Sequence, residues 1–277
     1  MTIIERLQQH KDLQPYKIAL IVDEEQYTYG QLYDAIISME FNNTSRIINL
    51  GQFNDGQKNK VLLIQNLSFV EQLLQWLWGL YKGYIPMVCH NEMDVAYIDE
   101  LARIISVEGV PTSADFGVLT SGTTGRPKPL WRSESSWREF FDIQNNIFHI
   151  NKDTKIFLHG SFSFTGVSNM VVAVLWSGGT VITTSSLRPI RWIQLIDKYH
   201  VDHIYALPTK LRLLVRHCKS KLDSVNYIIG GSQVLDRQLM EQLELICPNM
   251  EFILYYGASE LNYITYCTGK EWLDREG

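Results

Sequence analysis

Short β-branched runs alternate along this chain with longer stretches in which apolar residues recur every three or four positions. Val61–Ile64 has the continuous apolar character of a buried strand, and Ser68 is placed to cap a helix running to about Tyr81. Gly83 and Pro86 break that helix before another apolar run, Ile85–Cys89. The alternation continues with a strand at Lys155–Leu158, a helix at Val167–Leu175 closed by Gly178-Gly179, and a strand at Thr180–Thr183. A helix at Trp192–Tyr199, a strand at His203–Ala206 and a helix at Lys210–His217 follow. Asn226–Ile229 predicts a strand ending at Gly230-Gly231, Leu235–Ile246 a helix, and Glu251–Tyr255 a final strand. Strand–helix alternation of this kind predicts an α/β fold with largely parallel sheets flanked by helices. In such sheets ligands gather at the carboxyl ends of the strands, so the loops that follow strands are where chemistry is expected.

Composition narrows the classes. Of 277 residues, 45% are hydrophobic and 20% charged, which excludes a disordered chain. A formal charge of −5 leaves no basic surplus for nucleic acid. The cluster Lys210, Arg212 and Arg216 has helical spacing and reads as a solvated helix face. Cys89, Cys218, Cys247 and Cys267 form no C-x-x-C pair, which fits reduced thiols and provides no zinc or disulfide framework. Charges interrupt every apolar stretch near the N-terminus, so no signal peptide is read there. Val167–Trp176, the most apolar stretch, falls well short of the about 20 residues a bilayer requires. A cytoplasmic protein is expected.

The densest chemical signal is Leu119–Lys128, which follows the apolar run Phe116–Leu119 and crowds hydroxyls, glycines and cations together. Glycines let backbone approach a phosphate, N–H groups and hydroxyls donate to its oxygens, and Lys128 supplies a mobile positive charge. A polar surface turn is the bland competitor. The P-loop of NTPases fails on its own pattern, because Gly117 and Gly122 are followed by Thr123-Thr124 rather than Lys-Ser/Thr.

Thr120–Lys128 resembles the phosphate-binding signature of adenylate-forming (AMP-binding) enzymes of the acyl-CoA synthetase/ligase type. Tyr255-Tyr-Gly-Ala-Ser-Glu260 is similar to the same family's Tyr-Gly-x-Thr-Glu, and Gly230-Gly231-Ser232 to its Gly-Gly-Ala adenine-pocket turn. Leu207-Pro208-Thr209 and Thr28-Tyr29-Gly-Gln-Leu32 match two weaker elements in the right order. The resemblance implies an acid–thiol ligase that uses ATP and Mg²⁺ to convert a carboxylic acid to acyl-AMP, and then passes the acyl group to coenzyme A. It implies phosphate contacts from Thr120, Ser121, Gly122, Thr123, Thr124, Gly125 and Lys128, with Lys128 and Glu260 as catalytic residues. Gly230, Gly231, Ser232, Tyr256, Gly257 and Ser259 would surround the nucleotide, Tyr256 against adenine and Ser259 beside the α-phosphate, while Glu260 would hold Mg²⁺. Phe164 and Gly166, in His159–Gly166, fall where the family lines its acid tunnel. His159 is read as structural, since a substrate carboxylate is already ionised at neutral pH. The neighbours Phe162, Phe164, Val167 and Met170 suggest a medium or long aliphatic acid.

Two departures from the family stand out. Pro129 replaces the usual glycine after the lysine, and is expected to stiffen the phosphate loop and remove a donor. The chain also ends at Gly277, without the ribose aspartate, hinge and mobile C-terminal domain that family members carry. It therefore reads as the N-terminal portion of a longer ligase: a first segment of about 1–110, and a segment of about 111–277 with the phosphate loop and adenine pocket. A non-catalytic nucleotide- or acyl-binding remnant, an adenylation unit charging a carrier protein, and self-association through unpaired sheet edges stay open as alternatives.

Overall fold

The computed structural model describes residues 1–41, 44–50, 60–120, 127–231 and 235–271. In chain order its strands are β1 (Ile18–Val22), β2 (Glu25–Thr28), β3 (Arg46–Asn49), β4 (Lys60–Ile64), β5 (Ile85–Val88), β6 (Phe116–Leu119) and β7 (Pro129–Arg132). They continue with β8 (Lys155–Leu158), β9 (Thr180–Thr183), β10 (His203–Tyr205), β11 (Tyr227–Gly231), β12 (Glu251–Ala258) and β13 (Asn262–Thr268). The helices are α1 (Ile3–Leu13), α2 (Tyr29–Ser38), α3 (Phe69–Tyr81), α4 (Val95–Glu108) and α5 (Glu134–Ile147). After them come α6 (Thr165–Ser177), α7 (Pro189–Lys198), α8 (Pro208–His217) and α9 (Arg237–Ile246). Every strand and helix expected from the pattern is present within a few residues. Glu251–Tyr255, however, is not the last strand: it extends to Ala258 and turns back into β13.

The chain forms two compact units that interleave along the sequence: 1–17, 27–140 and 160–172 in one, 18–26, 141–159 and 173–277 in the other. The first unit holds a five-stranded sheet in the order β3-β4-β5-β6-β7. Its inner pairs β4/β5 and β5/β6 are parallel, and its two edges are antiparallel. Both faces are covered, which explains the unbroken apolar run of β4. Val61 and Leu63 join a core with Ile98, Leu101 and Ile105 of α4, while Leu62 faces Gly79 of α3. Ser68 accepts from the Glu71 N–H and Glu71 returns to the Ser68 N–H, the reciprocal cap that starts α3.

The second unit holds an eight-stranded sheet, β13-β12-β11-β10-β8-β9-β1-β2. The pairs from β12 through β1 are parallel, and β13 is antiparallel to β12. One core gathers Phe157, Ile182, Ile204, Ile228 and Phe252 from the strands with Trp192, Leu195, Leu211, Leu214, Leu239 and Leu243 from α7, α8 and α9. Among the described residues, no helix is long and apolar enough to cross a membrane. The four cysteines are free, and burial pushes the Cys89 and Cys247 thiols up to about 12.

Candidate active site

In the first unit, β6 and β7 form a hairpin around the expected phosphate loop. Ser121, Gly122, Thr123, Thr124 and Gly125 lie outside the described residues; Thr120 and Lys128 close the hairpin on either side. The Thr120 N–H donates to the Lys128 carbonyl at 3.0 Å, and the Lys128 side chain is exposed. Tyr97 of α4 donates its hydroxyl to the Pro127 carbonyl and so ties the loop's exit to a helix. Antiparallel ladders alternate hydrogen-bonded and non-bonded pairs. Leu119–Pro129, next to the bonded Thr120–Lys128 pair, is therefore non-bonded. Proline at 129 thus costs no ladder bond, and it stands on the sheet's edge strand, where proline is tolerated.

Phe164 belongs to the same unit and is 51% exposed. Its ring lies 4.8 Å from the His90 imidazole, and Gly166, two residues on, is exposed in the first turn of α6. Phe162, Val167 and Met170 are buried, with Phe162 packed edge-on against Phe69 and Trp76. Those three are packed into the core, the other reading that their apolar character allows.

Sequence reasoning missed the polar chain behind Phe164. Asn91 donates to the Leu67 carbonyl at 3.5 Å, so its Oδ1 accepts from Gln72 Nε2 at 3.1 Å. That leaves Gln72 Oε1 to accept from Ser161 at 3.3 Å, and Ser161 Oγ to accept from Ser163 Oγ at 2.8 Å. Ser163 Oγ then accepts from His90 Nδ1 at 2.8 Å. The chain fixes the His90 tautomer with its proton on Nδ1, leaving the Nε2 lone pair beside the exposed ring of Phe164. Burial lowers the His90 pKa, which favours this neutral form.

In the second unit, β11 ends at Gly230-Gly231, both buried, with Ser232 outside the described residues. Packing demands these glycines: a Cβ on Gly230 would meet Phe252 Cζ at 2.8 Å, and one on Gly231 would meet Tyr255 Cε1 at 2.6 Å. The two tyrosines of β12 divide by strand alternation. Tyr255 faces inward, pairing its hydroxyl with that of Tyr205 at 2.7 Å and packing on Phe148. Burial raises both phenols above their ordinary range. Tyr256 turns outward and is 62% exposed, so it is not the core tyrosine. The strand bulges between Tyr256 and Gly257, and a Cβ on Gly257 would strike the Asn262 carbonyl at 2.6 Å. Ser259 and Glu260 follow in the β12–β13 turn, which closes through the Leu261 N–H to the Ala258 carbonyl at 3.1 Å. Ser259 is half-buried and Glu260 exposed.

No group of three or more His, Cys, Asp or Glu side chains able to hold a metal occurs among the described residues. A lone exposed carboxylate such as Glu260 fits Mg²⁺, which usually takes one or two protein carboxylates and completes its shell with phosphate oxygens and water. The His159 ring packs against Trp192 in a tilted pair, centroids 4.5 Å apart, and is hydrogen-bonded to the Ser186 carbonyl. Burial first, and the Lys210 charge second, lower its pKa to about 4, so it stays neutral.

Residues 106–276 match the sequence profile of the AMP-binding enzyme family. The chain belongs to that family. The match spans both groups of site elements, from the end of α4 through the β12–β13 hairpin. VraA of Staphylococcus epidermidis, named as a candidate long chain fatty acid-CoA ligase, is 24% identical over 290 residues, covering 95% of this chain and 60% of its own length. YhfT of Bacillus subtilis, an uncharacterized acyl-CoA ligase, is 28% identical over 214 residues, covering 76% of this chain and 43% of its own. In fold, this AMP-binding chain is similar to O-succinylbenzoate coenzyme A synthetase (MenE) from Bacillus subtilis, solved in complex with ATP and magnesium ion. The TM-score is 0.78 at 15% identity, over 97% of this chain and 63% of that one. The chain thus spans about 60% of the length of VraA.

Proposed function

We propose that this chain is the nucleotide-binding portion of an acyl-CoA ligase that activates a carboxylic acid with ATP. The family match over 106–276 carries the reading, because it covers every residue assigned to ATP, to Mg²⁺ and to the acid's path. In the first step a substrate carboxylate oxygen bonds to the α-phosphorus and the bond to pyrophosphate breaks, giving acyl-AMP. In the second, the sulfur of coenzyme A bonds to the acyl carbon, AMP leaves, and the thiol proton passes to solvent.

Lys128 holds the leaving phosphates as a mobile cation, helped by Thr120 and the hydroxyls and N–H groups of 121–125; charge building on pyrophosphate is what such preorganised groups stabilise. Tyr256 offers an exposed aromatic face to adenine beside Gly230, Gly231 and Ser232, with Gly257 leaving room at the bulge. Ser259 donates to the α-phosphate. Glu260 is the ligand for Mg²⁺, a cation that neutralises phosphate charge when bound. Phe164 and Gly166 line the acid's path, and the neutral His90 fixes the Phe164 ring. The name of VraA favours a long-chain fatty acid, and the free thiols, three of them buried, favour a cytoplasmic setting.

The test is ATP–pyrophosphate exchange on the protein as it occurs in the cell, over fatty acids of increasing length, followed by thioester formation with coenzyme A. Acid-dependent exchange that disappears in Lys128→Ala is expected. Nucleotide binding with no exchange for any acid would reduce the protein to a binding module. Exchange without transfer to coenzyme A would redirect it to a carrier-protein acceptor.

A further inference from the structure

Lys210 does not lie on a solvated helix face, as its spacing with Arg212 and Arg216 suggests. Arg212 does, 46% exposed and paired with Asp236. Lys210, in the first turn of α8, is half-buried, and its ammonium donates to the His159 carbonyl, so the residues that follow β10 and β8 are joined. Both lie at the carboxyl ends of neighbouring parallel strands, and Gly230-Gly231 ends the next strand over, on the other side of β10.

Among the described residues, no acid answers this charge. Burial lowers the Lys210 pKa, and no carboxylate among the described residues raises it. The nearest carboxylate acting on His159, Asp23, is occupied by the Thr184 hydroxyl and by the Ser185 N–H at 3.1 and 3.2 Å. His159 cannot help, since its Nδ1 is buried without a hydrogen-bond partner and its ring is held neutral. A partly desolvated ammonium with one carbonyl for company is unfavourable unless an anion completes its shell. Charges placed this way are a mark of binding sites.

We propose that Lys210 is a substrate-binding cation that takes an oxyanion, a carboxylate or a phosphate, at the carboxyl edge of the eight-stranded sheet. The inference deepens the ligase reading, in that both oxyanions belong to that reaction. The ammonium keeps its bond to the His159 carbonyl and offers its remaining protons to the anion.

Trace labelling of lysines with acetic anhydride across pH 7–11, read by mass spectrometry on the intact wild-type chain, tests this without requiring turnover. Lys210 should gain reactivity at lower pH than Lys198, which is ion-paired to Glu24. Four probes follow: AMP against adenosine, and octanoate against octan-1-ol. Protection of Lys210 of about tenfold by AMP and not adenosine assigns a phosphate; protection by octanoate and not octan-1-ol assigns a carboxylate. Equal protection by charged and neutral members of both pairs, or none by any, overturns the proposal. Lys210→Met should lose the same probe's affinity at least tenfold with thermal stability unchanged or higher, and Lys210→Arg should restore most of it. Anion protection in a protein that gives no pyrophosphate exchange would leave the site standing and sink only the reaction.

Discussion

Replacing Gly231 by alanine is a sharp test of how the β11 turn is built. A Cβ there would stand 2.6, 2.8 and 3.0 Å from Cε1, Cζ and Cδ1 of Tyr255. Comfortable carbon contacts lie at about 3.5–4.0 Å, so the ring must retreat by roughly 1 Å. Tyr255 is poorly placed to do so: it sits directly across the ladder from Gly231, its hydroxyl is bonded to Tyr205 at 2.7 Å, and Phe148 packs against it. Overpacking of this kind costs about 1–3 kcal/mol. Parting two buried hydroxyls adds about 1–3 kcal/mol, giving a loss of roughly 2–6 kcal/mol in all. The control is Gly83→Ala. Gly83 has φ of +71° with nothing within 4 Å of its would-be Cβ, so only the left-handed backbone is penalised, by about 1–2 kcal/mol. Because the chain has two units, amide hydrogen exchange in β11 and β12 is the assay that reports the loss where it occurs. Exchange protection in Gly231→Ala within about 0.5 kcal/mol of wild type would refute the packing explanation, since that is the range of a neutral surface change.

Other expectations separate core from site. Phe162→Ala should cost about 3–5 kcal/mol in urea unfolding, whereas Phe164→Ala should stay within about 1 kcal/mol yet change which acids support exchange. His159 binds its proton in the unfolded chain near pH 6.5 and in the folded chain only near about 4. Between those values the unfolded state holds more protons, so its contribution to stability is present above 6.5 and lost as pH falls through that window. Thermal melts at stepped pH should show the slope, and His159→Phe should flatten it. Glu260→Gln should lower exchange about 100-fold at saturating ATP while leaving the melting temperature unchanged, because the carboxylate is exposed.

Much of the fold was legible because both faces of its parallel strands are covered, and β4, β8 and β11 therefore carry continuous apolar runs, with β9 a β-branched one. β13 was not legible. Its Ile264, Thr265 and Tyr266 are exposed, so it has no buried face to mark it, and it exists through pairing with β12. β7 has the same character as an edge strand opened by Pro129. The candidate site was legible where a motif carries it, as at Thr120, Lys128, Tyr256 and Glu260, the last three of which are exposed. It was not readable where pairing across long separations makes it: no spacing announces that Gln72, His90, Asn91, Ser161 and Ser163 form one directed chain. Lys210 was misread for a related reason. Its helical spacing with Arg212 and Arg216 suggested a shared face, but the first turn of α8 directs it to the β8 end instead.

Titration calorimetry with Mg·ATP tests the central claim most directly, on wild type beside Lys128→Ala and Tyr256→Ala. Binding in the wild type, weakened at least tenfold by each variant with melting temperatures unchanged, is the predicted result. Folded wild-type protein that gives no heat with Mg·ATP, or variants that bind as tightly as wild type, would contradict it.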